Sequence, residues 1–265
     1  KGKQNKYGYN ANMKDRKAYL DKKNFFENVI TLYGRNVVLE ILQDMSLTVH
    51  KLHLAKSNRD EGVILEIKNI AQQRGIEIKT HTKEQLSRIS KNAKQDQGVA
   101  IDIIAPNYRK SGDIEATLGD TFRLLALDGV QNPQNLGMIV RSAAAGKIDG
   151  IILPTNSSAK ISPLVIKASA GTLFKIPIFH CKTLEAPLAS LAESAEVYAL
   201  SSHAKEDIYS LEMGKRVVFV LGNESEGVSK PVERLCNRSL AIPMQRGVES
   251  LNVAVTAALL SFLPN

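Results

Sequence analysis

The apolar positions of this chain follow two different regimes. Over residues 30–105 they recur at helical or alternating spacing in short segments. Helices are expected at 33–42, 62–74 and 83–91, and strands at 49–55, 76–78 and 98–104. Beyond residue 122 the strand candidates are unbroken apolar runs, at 123–127, 150–153, 176–179, 196–200, 217–221 and 240–242. Between and after them lie helical stretches at 136–145, 163–173, 184–193, 230–235 and 251–263. Strands apolar on both sides that alternate with helices imply a parallel sheet covered on both faces. The fold class read from the pattern is therefore α/β, a small unit followed by a larger one. The segment between them, 106–121, carries Pro106, Gly112 and Gly119 with little periodicity and reads as a linker with a short turn at most.

Length and composition agree with this division. The 265 residues suffice for one large or two ordinary domains, and 43% apolar with 23% charged residues is usual for a globular chain. The longest apolar run, 251–263, is broken by Asn252, Thr256 and Ser261. It is also shorter than the ~20 residues that span a bilayer, so no membrane association is expected. The opening Lys-Gly-Lys-Gln shows no signal-peptide pattern. Two cysteines, Cys181 and Cys236, are too few for a disulfide framework, which suggests a reducing interior.

Charge changes the picture at one end. The net +8 is concentrated in residues 1–28, where eight basic residues face Asp15, Asp21 and Glu27. Tyr7, Tyr9, Tyr19, Phe25 and Phe26 are interleaved with them. Such an arm (1–29) suits RNA, through phosphate attraction and stacking on unpaired bases, and suits a solubilising tail equally well.

Candidate chemistry concentrates in loops that follow strands, where parallel sheets bind their ligands. The first, 128–137, opens a helix that bears Arg141, with Asn132 or Asn135 as its cap. The second, 221–227, has two glycines that permit close backbone approach. The third runs Ile242-Pro243-Met244-Gln245-Arg246-Gly247-Val248-Glu249-Ser250-Leu251-Asn252-Val253. It sets Glu249, Ser250 and Asn252 at a helix start, where Ser250 could serve as a simple cap. There is no G-x-G-x-x-G and no P-loop, no nucleophile elbow, and no metal spacing among His, Cys and carboxylates. His50 and His53, three apart in a strand, point to opposite faces.

These three loops, in order and spacing, resemble the motifs of the SpoU-type RNA ribose 2′-O-methyltransferases, the TrmH-like branch of the SPOUT superfamily. Asn135-Leu136-Gly137 with Arg141-Ser142-Ala143 resembles the first motif. Gly222-Asn223-Glu224 with Gly227 resembles the second. Ile242-Pro243-Met244 with Ser250-Leu251-Asn252-Val253 resembles the third, and Lys167-Ala168-Ser169-Ala170-Gly171 a further family segment. Residues 32–40 and Gln97-Gly98-Val99-Ala100 resemble the L30-like substrate-binding domain of the subgroup that methylates a guanosine of large-subunit ribosomal RNA. Asp96 stands where His is common, which could alter RNA contacts. Gly146-Lys147 departs from the pattern after the first-motif helix, with consequences for local packing only.

The resemblance implies a trefoil-knotted methyltransferase domain at 122–265, an L30-like RNA-binding domain at 30–105, a homodimer, cytoplasmic or organellar work, and no metal. It implies S-adenosylmethionine as cofactor, gripped by backbone at Leu200, Ser201, Leu221, Gly222, Ile242, Met244 and Leu251. It implies a catalytic set of Arg141, Asn135, Glu224, Ser250 and Asn252, and RNA contacts at Tyr33, Arg35 and Asn36. A guanidinium is a poor base, so Arg141 is read as a phosphate ligand that stabilises the developing alkoxide, with the other four shaping the site and orienting it. Two competing readings are a transfer-RNA guanosine 2′-O-methyltransferase and a non-catalytic RNA-binding or ribosome-assembly factor of the same fold.

Overall fold

The computed structural model describes residue 25 and residues 28–264. The aromatic-basic arm at 1–29 therefore lies almost wholly outside the described residues. The chain divides into two compact units, one formed by Lys1–Val38 with Leu47–Pro106 and the other by Leu39–Ser46 with Asn107–Asn265.

The first unit is built on a four-stranded sheet of order β1-β4-β2-β3. Its strands are β1 (Val29–Tyr33), β2 (Val49–Ala55), β3 (Glu77–His81) and β4 (Val99–Ile104). β4 pairs antiparallel with both β1 and β2, and β3 lies parallel to β2 at the sheet edge. Helices α2 (Gly62–Gln73) and α3 (Lys83–Ser90) accompany it, and α1 (Arg35–Gln43) begins in this unit and ends in Leu39–Ser46 of the other. The start of α1 is sharp because Gly34, at φ +99°, turns the chain out of β1. β1 was missed in the pattern because it is only half-buried and five residues long. α3 begins with a capping box, Thr82 accepting from the backbone of Gln85 and the Gln85 side chain accepting from the backbone of Thr82. It buries Leu86 against Ala55 and Ala100, with Tyr33 and Ile89 alongside.

One residue from each strand of this sheet joins a buried polar row. Thr31 donates to Asp102 at 2.6 Å, His53 Nε2 lies 2.9 Å from the other Asp102 oxygen, and His53 Nδ1 lies 2.9 Å from His81 Nε2. Burial pushes the Asp102 carboxyl up, but the hydrogen bonds from His53 and Thr31 outweigh it and hold the group below its ordinary range. His81 is pushed down, first by burial and then by the neighbouring charges of His53, Lys79 and Lys51.

The second unit is an eight-stranded sheet of order β10-β12-β9-β11-β6-β7-β8-β5, with every pairing parallel. Its strands are β5 (Tyr108–Lys110), β6 (Phe122–Leu127), β7 (Gly150–Pro154), β8 (Ile178–Cys181), β9 (Glu196–Leu200), β10 (Glu206–Asp207), β11 (Arg216–Leu221) and β12 (Arg238–Ala241). The segment expected to be a linker instead supplies β5, which extends the sheet beside β8, and a short helix, α4 (Ile114–Leu118). Only three residues pair there, too few for alternation to register. Helices α5 (Pro133–Ala145), α6 (Pro163–Ala168), α7 (Glu185–Leu191), α8 (Lys230–Glu233) and α9 (Val253–Ser261) complete the unit. The helix expected over 163–173 ends at Ala168, because Ala170 and Gly171 take positive φ before a 3₁₀ turn.

Two glycines set helix packing. A Cβ on Gly137 would lie 2.8 Å from the Val165 carbonyl, so α5 and α6 approach at backbone distance. A Cβ on Gly146 would overlap the Ser261 backbone, and Lys147 N donates to Ser261 O at 2.7 Å. α9 therefore docks on α5, and buried Arg123 at the start of β6 fastens the chain beyond it by donating to Leu263 O at 2.9 Å. The departure at Gly146-Lys147 is thus a packing feature of the last helix. Among the described residues no helix is long and apolar enough to cross a membrane.

Candidate active site

The strand order places the site before any side chain is considered. From β6 the chain proceeds through β7 to β8, then crosses back to build β9, β11 and β12 on the other side. Neighbouring strands β6 and β11 thus lead away in opposite directions, the switch point at which open parallel sheets bind ligands beyond their carboxyl ends. The first and second candidate loops leave the sheet there. The loops after β9 and β12 follow on the adjoining strands, so all four belong to consecutive strands β12-β9-β11-β6.

Hydrogen bonds tie these loops to one another. Asp128 N donates to Leu221 O at 2.7 Å, and Ser229 N donates to the Asp128 carboxylate at 2.7 Å. The second loop folds on itself: Asn223 and Gly227 exchange backbone bonds at 3.1 and 2.9 Å. The Asn223 side chain also accepts from Ser225 N and Glu226 N. A Cβ on Gly222 would overlap the Gly227 backbone, and Gly227 itself sits at φ +71°. Both glycines are thus required by this turn.

The sequence-expected catalytic residues separate into two groups. Asn135 in the first turn of α5, Glu224 in the loop after β11 and Asn252 at the cap of α9 converge. Asn135 Nδ2 donates to Glu224 Oε1, while Asn252 Nδ2 lies 3.3 Å from both that oxygen and Asn135 Oδ1. Asn135 is 5% exposed, so its amide is committed to this cluster, and residues 89 and 117 positions away meet there. Arg141 and Ser250 are exposed, and their side chains make no hydrogen bond with the described residues. Arg141 is therefore not oriented by the other four in this structure, contrary to expectation. It stands on the outer face of α5, a guanidinium with its donors uncommitted.

Caps resolve similarly. Asn132 caps α5, accepting from Gln134 N at 2.8 Å and Asn135 N at 3.3 Å. The last helix begins at Val253 and is capped by Asn252, which accepts from Ala254 N at 2.8 Å. Ser250 does not cap it. Asn252 thus faces two ways, its oxygen holding the helix and its nitrogen bridging the cluster.

Of the residues expected at the cofactor, Leu200 ends β9 and Ser201 follows it, Leu221 ends β11 and Gly222 follows it, and Ile242 and Met244 follow β12. Leu221 O is taken by Asp128 N, and Ser201 N donates to Leu240 O at 2.9 Å. Leu251 is half-buried just before α9.

In the first unit the Tyr33 hydroxyl accepts from Asn92 at 2.9 Å. Arg35 binds Gln97 twice, its backbone N donating to Oε1 at 3.0 Å and its Nε to the carbonyl at 3.3 Å. Asn36 is exposed. Asp96 is 3% exposed; it accepts from Ser90 at 2.9 Å and from Gly98 N at 3.0 Å, so it buttresses the loop from within.

Comparison with known proteins bears on both units. Residues 123–262 match the SpoU rRNA Methylase family, and residues 31–109 match the RNA 2′-O ribose methyltransferase substrate binding family. The 23S rRNA (guanosine-2′-O-)-methyltransferase RlmB of Xylella fastidiosa strain 9a5c is 31% identical over 235 residues, covering 87% of this chain and 94% of that protein. An uncharacterized tRNA/rRNA methyltransferase of Mycobacterium sp. strain KMS is 32% identical over 228 residues, covering 84% and 72%. A TrmH-family structure from Porphyromonas gingivalis superposes with TM-score 0.56 at 25% identity over 91% of this chain and 90% of that one. An AdoMet-bound rRNA methyltransferase structure from Sinorhizobium meliloti shares the fold, with TM-score 0.57 at 24% identity over 92% and 88%. With its three motifs gathered at one switch point and more than half its length matched, the chain belongs to the SpoU rRNA methylase family, preceded by that family's substrate-binding domain.

Proposed function

We propose that this protein transfers a methyl group from S-adenosylmethionine to a ribose 2′-oxygen of structured RNA, most directly a guanosine of large-subunit ribosomal RNA. The observation that carries the reading is the meeting at the switch point of Asn135 from the first turn of α5, Glu224 from the loop after β11 and Asn252 from the cap of α9. The residues fit the cofactor. The backbone at 200–201, 221–222 and 242–244 ends three neighbouring strands, and Gly222 keeps the loop there free of side-chain bulk. When bound, its sulfonium supplies an activated methyl with a good leaving group. The task left to the protein is to aim and activate an oxygen.

Arg141 is the residue for that task. Its uncommitted guanidinium binds the phosphate beside the target ribose and stabilises negative charge developing on the 2′-oxygen. Asn135, Glu224 and Asn252 are positioning residues that hold the three loops in register, and Ser250 lines the approach. Tyr33, Arg35 and Asn36 contact RNA from the first unit, the first two presented by the 92–98 loop.

The knotted path rests on the return of the chain from β12, near one sheet edge, to dock α9 on α5 beside β6. The homodimer rests on an apolar outer surface: Met138 on α5, Val255 on α9 and Phe262 just after α9 are 42%, 48% and 59% exposed. The same reading has the protein work where ribosomal RNA is made and assembled, in a cytoplasm or an organelle matrix.

Calorimetric titration with S-adenosylmethionine tests the enzymatic reading. One saturable site is expected, retained in Arg141→Ala. Absence of binding at millimolar cofactor would leave an RNA-binding factor as the function.

A further inference from the structure

The first unit contains a cleft of its own, of about 290 Å³, between α2 and the edge strand β3. Its floor is apolar, formed by Leu54 of β2 and Ile78 of β3, and its rim is polar, formed by Lys56, Asn58, Gln72 and Thr80. The volume lies at the lower end of the range for small-ligand pockets, roughly 300–1,000 Å³. That suits a single planar heterocycle and is small for a whole dinucleotide.

The rim is uncommitted. The side chains of Lys56, Gln72 and Thr80 make no hydrogen bond with the described residues. Asn58 is held in place at the rim, its Nδ2 donating to Gly98 O at 2.7 Å. Lys68 also lines the cleft but is ion-paired with Asp60, so its charge is largely neutralised locally. A phosphate would therefore find one free ammonium and little else. An apolar floor rimmed by the Gln72 amide, the Thr80 hydroxyl and one ammonium instead matches the edge and face of an unstacked base.

We propose that this cleft holds one unpaired nucleobase of the substrate RNA, its edge read by Gln72 and Thr80 and its ring laid on Leu54 and Ile78, with Lys56 on the adjoining phosphate. This rests on the reading of the protein as an RNA methyltransferase and extends it. The substrate domain would select RNA with a base free to leave the helix, because stacked and paired bases in A-form RNA are out of reach of such a cleft.

The test uses the full chain, with a labelled RNA stem-loop carrying single-stranded loop bases and a perfectly paired duplex of equal length. The double variant Gln72→Ala/Thr80→Ala removes only exposed rim atoms, and its folding is checked by circular dichroism and by unchanged S-adenosylmethionine binding. The expected result is stem-loop affinity about tenfold weaker, the effect of two ordinary hydrogen bonds, with duplex affinity unchanged. A second variant, Ile78→Lys, fills the floor with charge and should weaken the stem-loop at least as much. Equal losses on stem-loop and duplex would mean a backbone contact and overturn the base assignment, as would unchanged affinity for both. Failure of the wild-type protein to bind any RNA while binding cofactor would instead remove the RNA reading beneath it.

Discussion

Asn252 offers the sharpest test of the cluster because its two ends do different things. Its oxygen caps α9 through Ala254 N at 2.8 Å, and its nitrogen sits 3.3 Å from the Glu224 and Asn135 oxygens. Asn252→Ala deletes both functions. Loss of a cap costs about 1 kcal/mol, and two long hydrogen bonds contribute about 0.5 kcal/mol each, the low end of the usual range. The total of about 2 kcal/mol corresponds to a Tm lowered by roughly 4–8 °C for a unit of this size. Asn252→Asp keeps the cap but replaces the donor with a carboxylate oxygen against Glu224. Two like charges near 4 Å repel by about 1 kcal/mol in a water-like medium and up to about 4 kcal/mol where effective screening is weaker. The two variants therefore separate by pH. The deficit of Asn252→Ala should be constant, whereas that of Asn252→Asp should shrink as pH falls from 8 toward 5 and one carboxylate takes a proton. Thermal unfolding of both variants across that range, followed by circular dichroism, provides the comparison. If Asn252→Asp matches wild type at pH 8, the nitrogen does not bridge to Glu224 and the cluster is misdrawn.

Further outcomes follow from other parts of the molecule. Gly222→Ala should destabilise by about 1–3 kcal/mol or more, because the new methyl meets backbone at Gly227, and should abolish cofactor binding by calorimetry. Arg141→Ala should leave stability within about 0.5 kcal/mol, since the side chain is exposed and unbonded, while lowering methyl transfer by about 10²–10³-fold in a filter assay. His81 holds its proton less tightly when folded than its ordinary 6.5. Its contribution to stability is thus complete above pH 6.5 and is lost as pH falls below that. Asp102, also lowered, adds a loss further into acid. Hydrogen-exchange protection of β2 and β3 should accordingly drop between pH 7.5 and 5.5, and His81→Gln should flatten that drop; a constant protection factor would oppose the assignment. Val255→Glu/Phe262→Glu should shift sedimentation from dimer to monomer, and an unchanged profile would place any interface elsewhere.

Much of the larger unit was legible because its strands are buried on both faces, and unbroken apolar runs such as 217–221 have no other reading in a chain of alternating helices. What escaped was short or borderline. β5 and β10 have three and two residues, below the length at which periodicity exists, and β1 carries its pattern at half burial. Local spacing showed the site as three polar loops and the resemblance joined them into one set; nothing in either says that the Asn135, Glu224 and Asn252 side chains hydrogen-bond to one another. Ser250 offered itself as an alternative cap because Ser and Asn are both good caps, and the helix start is set two residues further on, at Asn252. The cleft rimmed by Lys56, Gln72 and Thr80 has no sequence signature, because its parts come from a strand end, a helix and an edge strand.

The central claim is that this chain methylates a ribose 2′-oxygen, and nucleoside mass spectrometry measures that product directly. Unmodified large-subunit ribosomal RNA is incubated with the protein and S-adenosylmethionine, digested to nucleosides and compared with a reaction run with Arg141→Ala. The account predicts 2′-O-methylguanosine at a single site with wild type and almost none with the variant. A methyl group on a base, or no methylation by folded protein that binds both cofactor and RNA, would contradict it.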